Sequence, residues 1–196
     1  MNESSQATTA EKTDPIRAAQ KLVKQDRRQG LAALNDIFRA GKPPEPPLDG
    51  PYDGELVAID IAPGITQFAN WLTSVLVPWK GKYLIKEDAK GDNIGDQKLR
   101  WMMRVLFPFY RGIIENDEET FRAFAFKTSI DAGRVDSDRK VFKIDYNSPA
   151  NPAFSIRRIL DEVVQVKEGI YLGKIHFKWW WGTWQMIGYF SLRTRN

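Results

Sequence analysis

Asp161 and Glu162 stand side by side in the apolar run ILDEVVQV, just after Arg157 and Arg158. A carboxyl group in an apolar pocket resists ionisation, and its raised pKa suits it to general acid or base work. One of the two is expected to project into the interior of the fold. They are the candidate catalytic residues, for isomerase- or cyclase-type chemistry on an apolar substrate. The competing reading pairs one of them with an arginine to close the fold.

Little else in the chain suggests chemistry. The sole histidine, His176, lies between Lys174 and Lys178 and reads as a surface residue. The absence of cysteine removes disulfides, thiolate catalysis and any thiolate-held zinc, iron–sulfur or haem site. The aspartates at 92 and 96, and at 131, 136 and 138, lack the spacing of a calcium loop and read as solvated turns. Nucleophile-elbow, phosphate-loop and dinucleotide fingerprints are missing. No cofactor and no metal are expected.

The strongest signal is aromatic. HFKWWWGTWQM places four of the seven tryptophans in residues 179–184. Gly182-Thr183 between two β-rich runs predicts a hairpin with a two-residue turn. Trp181 is then opposite Trp184, Trp179 opposite Met186, Phe177 opposite Gly188 and Ile175 opposite Phe190. Alternation puts these pairs on one apolar face. Phe124 and Phe126, in an earlier strand, are expected to join it. Together these residues form the candidate ligand-binding wall, for a lipid, sterol, polyketide or similar apolar molecule. The same side chains would equally fill a solid core.

Trp180 falls on the other face with Lys174, His176 and Lys178. An indole among long cationic stems suits a transient membrane-surface contact or a protein-partner edge. It equally suits an indole covered by the N-terminal helices. One exposed aromatic and scattered charge, +4 net, do not make a nucleic-acid surface.

The elements that must position these residues fall into three stretches. Residues 1–13 read as a disordered polar tail without signal-peptide character, so a cytoplasmic location is expected. Residues 14–41 read as a helical arm, capped at Asp14-Pro15, interrupted at Gly30 and closed by Gly41, and 42–49 as a proline-rich linker. From residue 50 to 196 a single β-rich domain is expected. It has a turn at GPYDG, a short strand to Ile61, an inserted helix over 65–78 and a strand over 82–86. In that helix Phe68, Trp71, Leu72, Val75, Leu76 and Trp79 share a face. Residues 100–112 are buried but of undecided type. Residues 120–131 and 140–147, the 155–166 run and the two arms of the hairpin read as strands. The 155–166 run also matches a helical face. No apolar run is long enough for a transmembrane helix.

Two segments resemble a known group. FRAGKPPEPPLDGPYDGEL (38–56) is similar to the opening of bacterial GxWxG-type, calycin-like domains, with Tyr52 where that motif has tryptophan. ILDEVVQVKEGIYLGKIHFKWWWGTWQMIGYFSLR (159–193) is similar to their closing strands. The resemblance implies a lipocalin-like fold and binding of an apolar ligand. The expectation is a mainly β protein: an antiparallel, calycin-like up-and-down β-barrel with an N-terminal helical arm and an inserted helix.

Overall fold

The computed structural model describes residues 14–61, 70–74 and 77–195. Two helices come first. The Asp14 carboxylate accepts from the Ile16 and Arg17 backbone N–H groups and caps α1 (Pro15–Gln25). Asp26 ends α1 and caps α2 (Arg27–Ala40). The arm therefore breaks at Asp26, whose backbone is extended (φ −138°, ψ 101°), and not at Gly30. Gly30 serves a different need. A Cβ there would lie 2.3 Å from the Val23 backbone nitrogen, so only glycine lets the helices approach so closely.

The strands are β1 (Gly50–Ile59), β2 (Trp79–Ile85), β3 (Lys90–Asp96), β4 (Ile114–Glu115) and β5 (Thr120–Ala132). β6 (Lys140–Asp145), β7 (Ile159–Lys167), β8 (Ile170–Lys178) and β9 (Trp184–Thr194) follow. All neighbours pair antiparallel, β9 returns to β1, and β3 pairs with β5. The result is a closed eight-stranded up-and-down barrel, with β4 a short addition beside β5. Closure leaves its main ladder without a free edge. No helix among the described residues is long and apolar enough to cross a membrane.

Several local expectations change. GPYDG is already part of β1, and Trp79 opens β2 instead of closing a helix. The 100–112 segment supplies a short helix, α3 (Arg100–Leu106). β3 has no counterpart in the sequence reading because Ile94 is the single β-former in KGDNIGD. Its glycines are there for space: a Cβ on Gly91 would meet the Tyr83 carbonyl at 2.2 Å, and one on Gly95 the Phe121 ring at 2.4 Å. In the inserted helix, residues 70–74 are helical and Leu72 is buried, whereas Phe68, Val75 and Leu76 lie outside the described residues. The ambiguous run is strand β7, entered through a 3-10 turn at Ile156–Arg158.

Apolar side chains divide into two clusters. One fills the barrel interior, with Phe126, Phe177, Phe190 and Leu192 among its most buried members. The other seals the outer wall against the helical arm, joining Ile16, Leu34 and Phe38 to Val164, Leu172 and Tyr189. Tyr52 is buried and meets Tyr171 edge-on at 5.6 Å.

The tryptophan hairpin differs from its predicted register. Lys178 pairs with Trp184 and His176 with Met186; a bulge follows, and Ile175 then pairs with Gly188. The turn is longer than two residues: the Trp179 N–H donates to the Thr183 carbonyl (2.8 Å), and Gly182 turns the chain at φ +97°. Beyond the bulge the shift is an even number of residues, so Tyr171, Gly173 and Ile175 keep their inward face. At the tip Trp179 keeps its inward place and the other two inward indoles do not. Trp179 is buried, Trp181 is 68% exposed, and Trp184 joins the outer face.

Candidate functional site

Alternation along the strands brings four polar side chains into the otherwise apolar interior. Lys82 on β2 is followed on the same face by Leu84, and Asn93 on β3 is its register partner. Tyr146 continues the inward row of Phe142 and Ile144 just past β6, and Asp161 on β7 is the register partner of Ile144. Lys82 Nζ donates to Asp161 Oδ2 (2.9 Å), Asn93 Oδ1 (3.0 Å) and the Tyr146 hydroxyl. The Tyr146 oxygen lies 2.9 Å from Asn93 Oδ1 and 3.3 Å from Asp161 Oδ2.

These groups border a cavity of about 70 Å³. Its remaining wall is apolar, including Leu72, Ile94, Met103, Phe121, Phe124 and Phe190. One water needs roughly 15 Å³, and an engineered cavity of about 150 Å³ takes benzene. The space therefore suits a few heavy atoms and is too small for a whole sterol. Asp161 Oδ1 is buried beside it and has no hydrogen-bond partner among the described residues. An acceptor left in that state is unfavourable by about 1–3 kcal/mol, more when charged, unless a ligand or water satisfies it.

Burial pushes the Lys82 ammonium below its ordinary pKa, against the opposing pull of Asp161. The Tyr146 hydroxyl is pushed well above its ordinary value, first by burial and then by the Asp161 charge. Rings of Trp79, Phe126, Tyr146 and Phe190 surround Lys82 Nζ at 5.0–5.5 Å from their centroids. At the cavity edge Phe124 has φ +59°, a left-handed conformation that strains a bulky residue. Its N–H, displaced from the ladder by the bulge in β5, donates to the Tyr110 hydroxyl (2.6 Å). Burial raises that tyrosine to about 12.

The predicted binding wall is only partly gathered here. Phe124, Ile175 and Phe190 line the cavity. Phe126, Phe177 and Trp179 belong to the packed interior around it. Met186 packs outside, against the cluster beneath the arm. Trp181 is mostly exposed and stacks on Trp179 (ring centroids 5.1 Å), and Trp184 is half-buried against Arg134 and Lys178 on the outer wall. The indoles therefore do not form a shared pocket. Trp180, expected outside, is 55% exposed, so two of the hairpin's four indoles rather than one face solvent. Trp180 lines a surface groove with exposed Phe154, and the guanidinium of Arg158 lies over its ring at 5.9 Å.

Of the carboxylate pair, Asp161 faces the cavity and Glu162 does not. Glu162 is wholly buried in the outer wall, accepting from the Arg134 N–H (2.6 Å) and lying 3.0 Å from His176 Nε2. His176, expected at the surface, is fully buried there, and so is Lys174, which donates to Asp136 (2.6 Å) and Asn35 (2.8 Å). α2 and the loop between β5 and β6 cover this face. Neither arginine pairs with Asp161; the partner is Lys82, which sequence reasoning missed. Its signal was the shared parity with Leu84 in KGKYLI. Tyr146 shares the parity of Phe142 and Ile144 in VFKIDY. Asn93 had no signal, because its strand was not legible. Asp136, expected in a solvated turn, is buried between Lys174 and Arg39.

Fold and site together define a closed eight-stranded antiparallel barrel with a small polar-headed cavity. No family model matches the chain, and no curated protein matches it. Among solved structures it is similar to a protein from Thermomonospora curvata, with a TM-score of 0.50 and 14% identity, covering 94% of this chain and 100% of that one. At that identity the likeness shows the fold alone.

Proposed function

We propose that the barrel binds a small, mainly apolar molecule by one oxygen-bearing polar end. The observation that carries this reading is the unpartnered Asp161 Oδ1 at the wall of an apolar cavity, beside the donors Lys82 and Tyr146. Apolar walls supply affinity and the polar cluster fixes orientation. The similarity of 38–56 and 159–193 to GxWxG-type, calycin-like domains supports the same reading, since it implies an apolar ligand. The cavity volume narrows the ligand to a short chain or small ring.

A second reading is a small enzyme that uses Asp161 on such a molecule. Contact of an ammonium, a phenol and a carboxylate in one water-poor site favours it. Glu162 has no part in it.

Native mass spectrometry of freshly purified protein, followed by thermal-shift measurements with short alcohols, ketones and acids, tests binding. A ligand at about 100 times its Kd should add ~2.7 kcal/mol of stability. If no compound raises Tm and nothing co-purifies, the binding reading is wrong.

A further inference from the structure

The amine in the cavity is placed for more than hydrogen bonding. Lys82 Nζ is enclosed by aromatic rings, with its side chain 3% exposed. It touches a carboxylate that can take its proton and a phenol that can donate one. An amine in an apolar site gives up its proton more readily and becomes nucleophilic. Lys80, two positions earlier, pairs with Asp96 while 53% exposed, and so keeps the hydration that Lys82 has lost.

We propose that the cavity's ligand is a small aldehyde or ketone and that Lys82 captures it as an iminium ion. This rests on the binding reading above. The Lys82 ammonium passes one proton to Asp161, and the freed lone pair forms the Nζ–C bond. The carbonyl π pair moves to oxygen, which takes a proton from Tyr146, and the tyrosinate is reprotonated from the now cationic nitrogen. The product is a neutral carbinolamine. Its hydroxyl is of the type that the free Asp161 Oδ1 can hold. The protonated Asp161 then returns its proton to that hydroxyl. The C–O bond breaks, water leaves, and the nitrogen lone pair forms C=N. An ammonium and a carbonyl have become an iminium and water, with charge conserved. Asp161 is again a carboxylate, now the counter-ion of the iminium.

Reductive trapping tests this with the intact protein. Butanal and cyanoborohydride at about pH 6, where exposed lysines (pKa ~10.4) are almost wholly ammonium, should butylate Lys82 at least about tenfold faster than Lys80 or Lys86, read by peptide mass spectrometry. Tyr146→Phe should slow labelling at Lys82 by on the order of 10²-fold without changing that at Lys80. The paired replacement Lys82→Met with Asp161→Leu keeps the interior uncharged and should show surface labelling alone. 1-Butanol, which has the chain but no carbonyl, separates the two readings. If butanol raises Tm while Lys82 stays unlabelled, carbonyl capture is overturned and binding stands. If butanol and butanal both fail to raise Tm and Lys82 stays unlabelled, both fall.

Discussion

Neighbouring residues of β7 carry the two halves of a comparison. Asp161 points inward to Lys82, Tyr146 and the cavity, whereas Glu162 points outward to His176 and the Arg134 N–H. Both are buried carboxylates, yet they sit in different settings. Both oxygens of Glu162 have partners. Beside it Asp136 is held by Lys174 and Arg39, which ties the wall to α2. The outer cluster leaves His176 Nδ1 without a partner among the described residues, but His176 lines none of the cavities described among them. The inner cluster leaves an acceptor facing space. Burial of charge alone does not mark a functional site; an unmet bond beside a cavity does.

The largest expected effect separates the inner pair from its wall. Lys82→Met strands Asp161 without its cation and should lower unfolding stability by about 3–5 kcal/mol in urea. Adding Asp161→Leu should restore most of that loss. Equal losses in the single and double variants would show that the ion pair is not what holds this region.

Asp136→Asn should cost less, about 2 kcal/mol, because its Arg39 side opens to solvent. Burial raises the Asp136 carboxyl, but hydrogen bonds from Lys174 and Arg39 outweigh it and hold its pKa below the ordinary value. A depressed folded pKa adds stability that is complete above the unfolded value, ~4. That stability is lost as pH falls through the lower folded value. The gap between wild type and Asp136→Asn should therefore be wide at pH 6 and close below about pH 4; a gap independent of pH would refute the assignment.

Glu162→Gln sharpens the contrast between neighbours. It keeps the contacts and removes the charge, so about 1 kcal/mol should be lost. Cyanoborohydride labelling at Lys82 should proceed at its original rate, whereas Asp161→Asn should slow it. A matching slowdown in both would mean that the two faces are not independent. The smallest effect belongs to Trp181→Ala, about 0.5–1 kcal/mol, because the ring is 68% exposed and its main contact is the stack on Trp179 (centroids 5.1 Å). Trp179→Ala, at the buried base of the same hairpin, should exceed it severalfold in the same urea titration.

Much of the barrel was legible because alternation is local. VFKIDY and IYLGKIHF each write their two faces in order, and an even register shift leaves those faces unchanged. The hairpin tip failed because Gly182-Thr183 suggests a tight turn, while the actual turn begins at Trp179 and carries Trp180 and Trp181 outward. β3 escaped because its glycines answer to Phe121, Phe126 and Tyr83, residues on other strands. His176 and Lys174 were misplaced for a related reason: only docking of α2 makes an outer wall into an interior.

By itself the sequence determined strand alternation, the helix cap at Asp14, and the placing of Asp161 or Glu162 in an apolar run. Each depends on neighbours a few positions apart along the backbone. The tertiary structure alone decided which of the two carboxylates faces the cavity and that Lys82 is its partner. Those outcomes depend on barrel closure, which brings residues 82, 93, 146 and 161 within hydrogen-bonding distance. No local pattern contains that distance, because it is set by how many strands close and in which register.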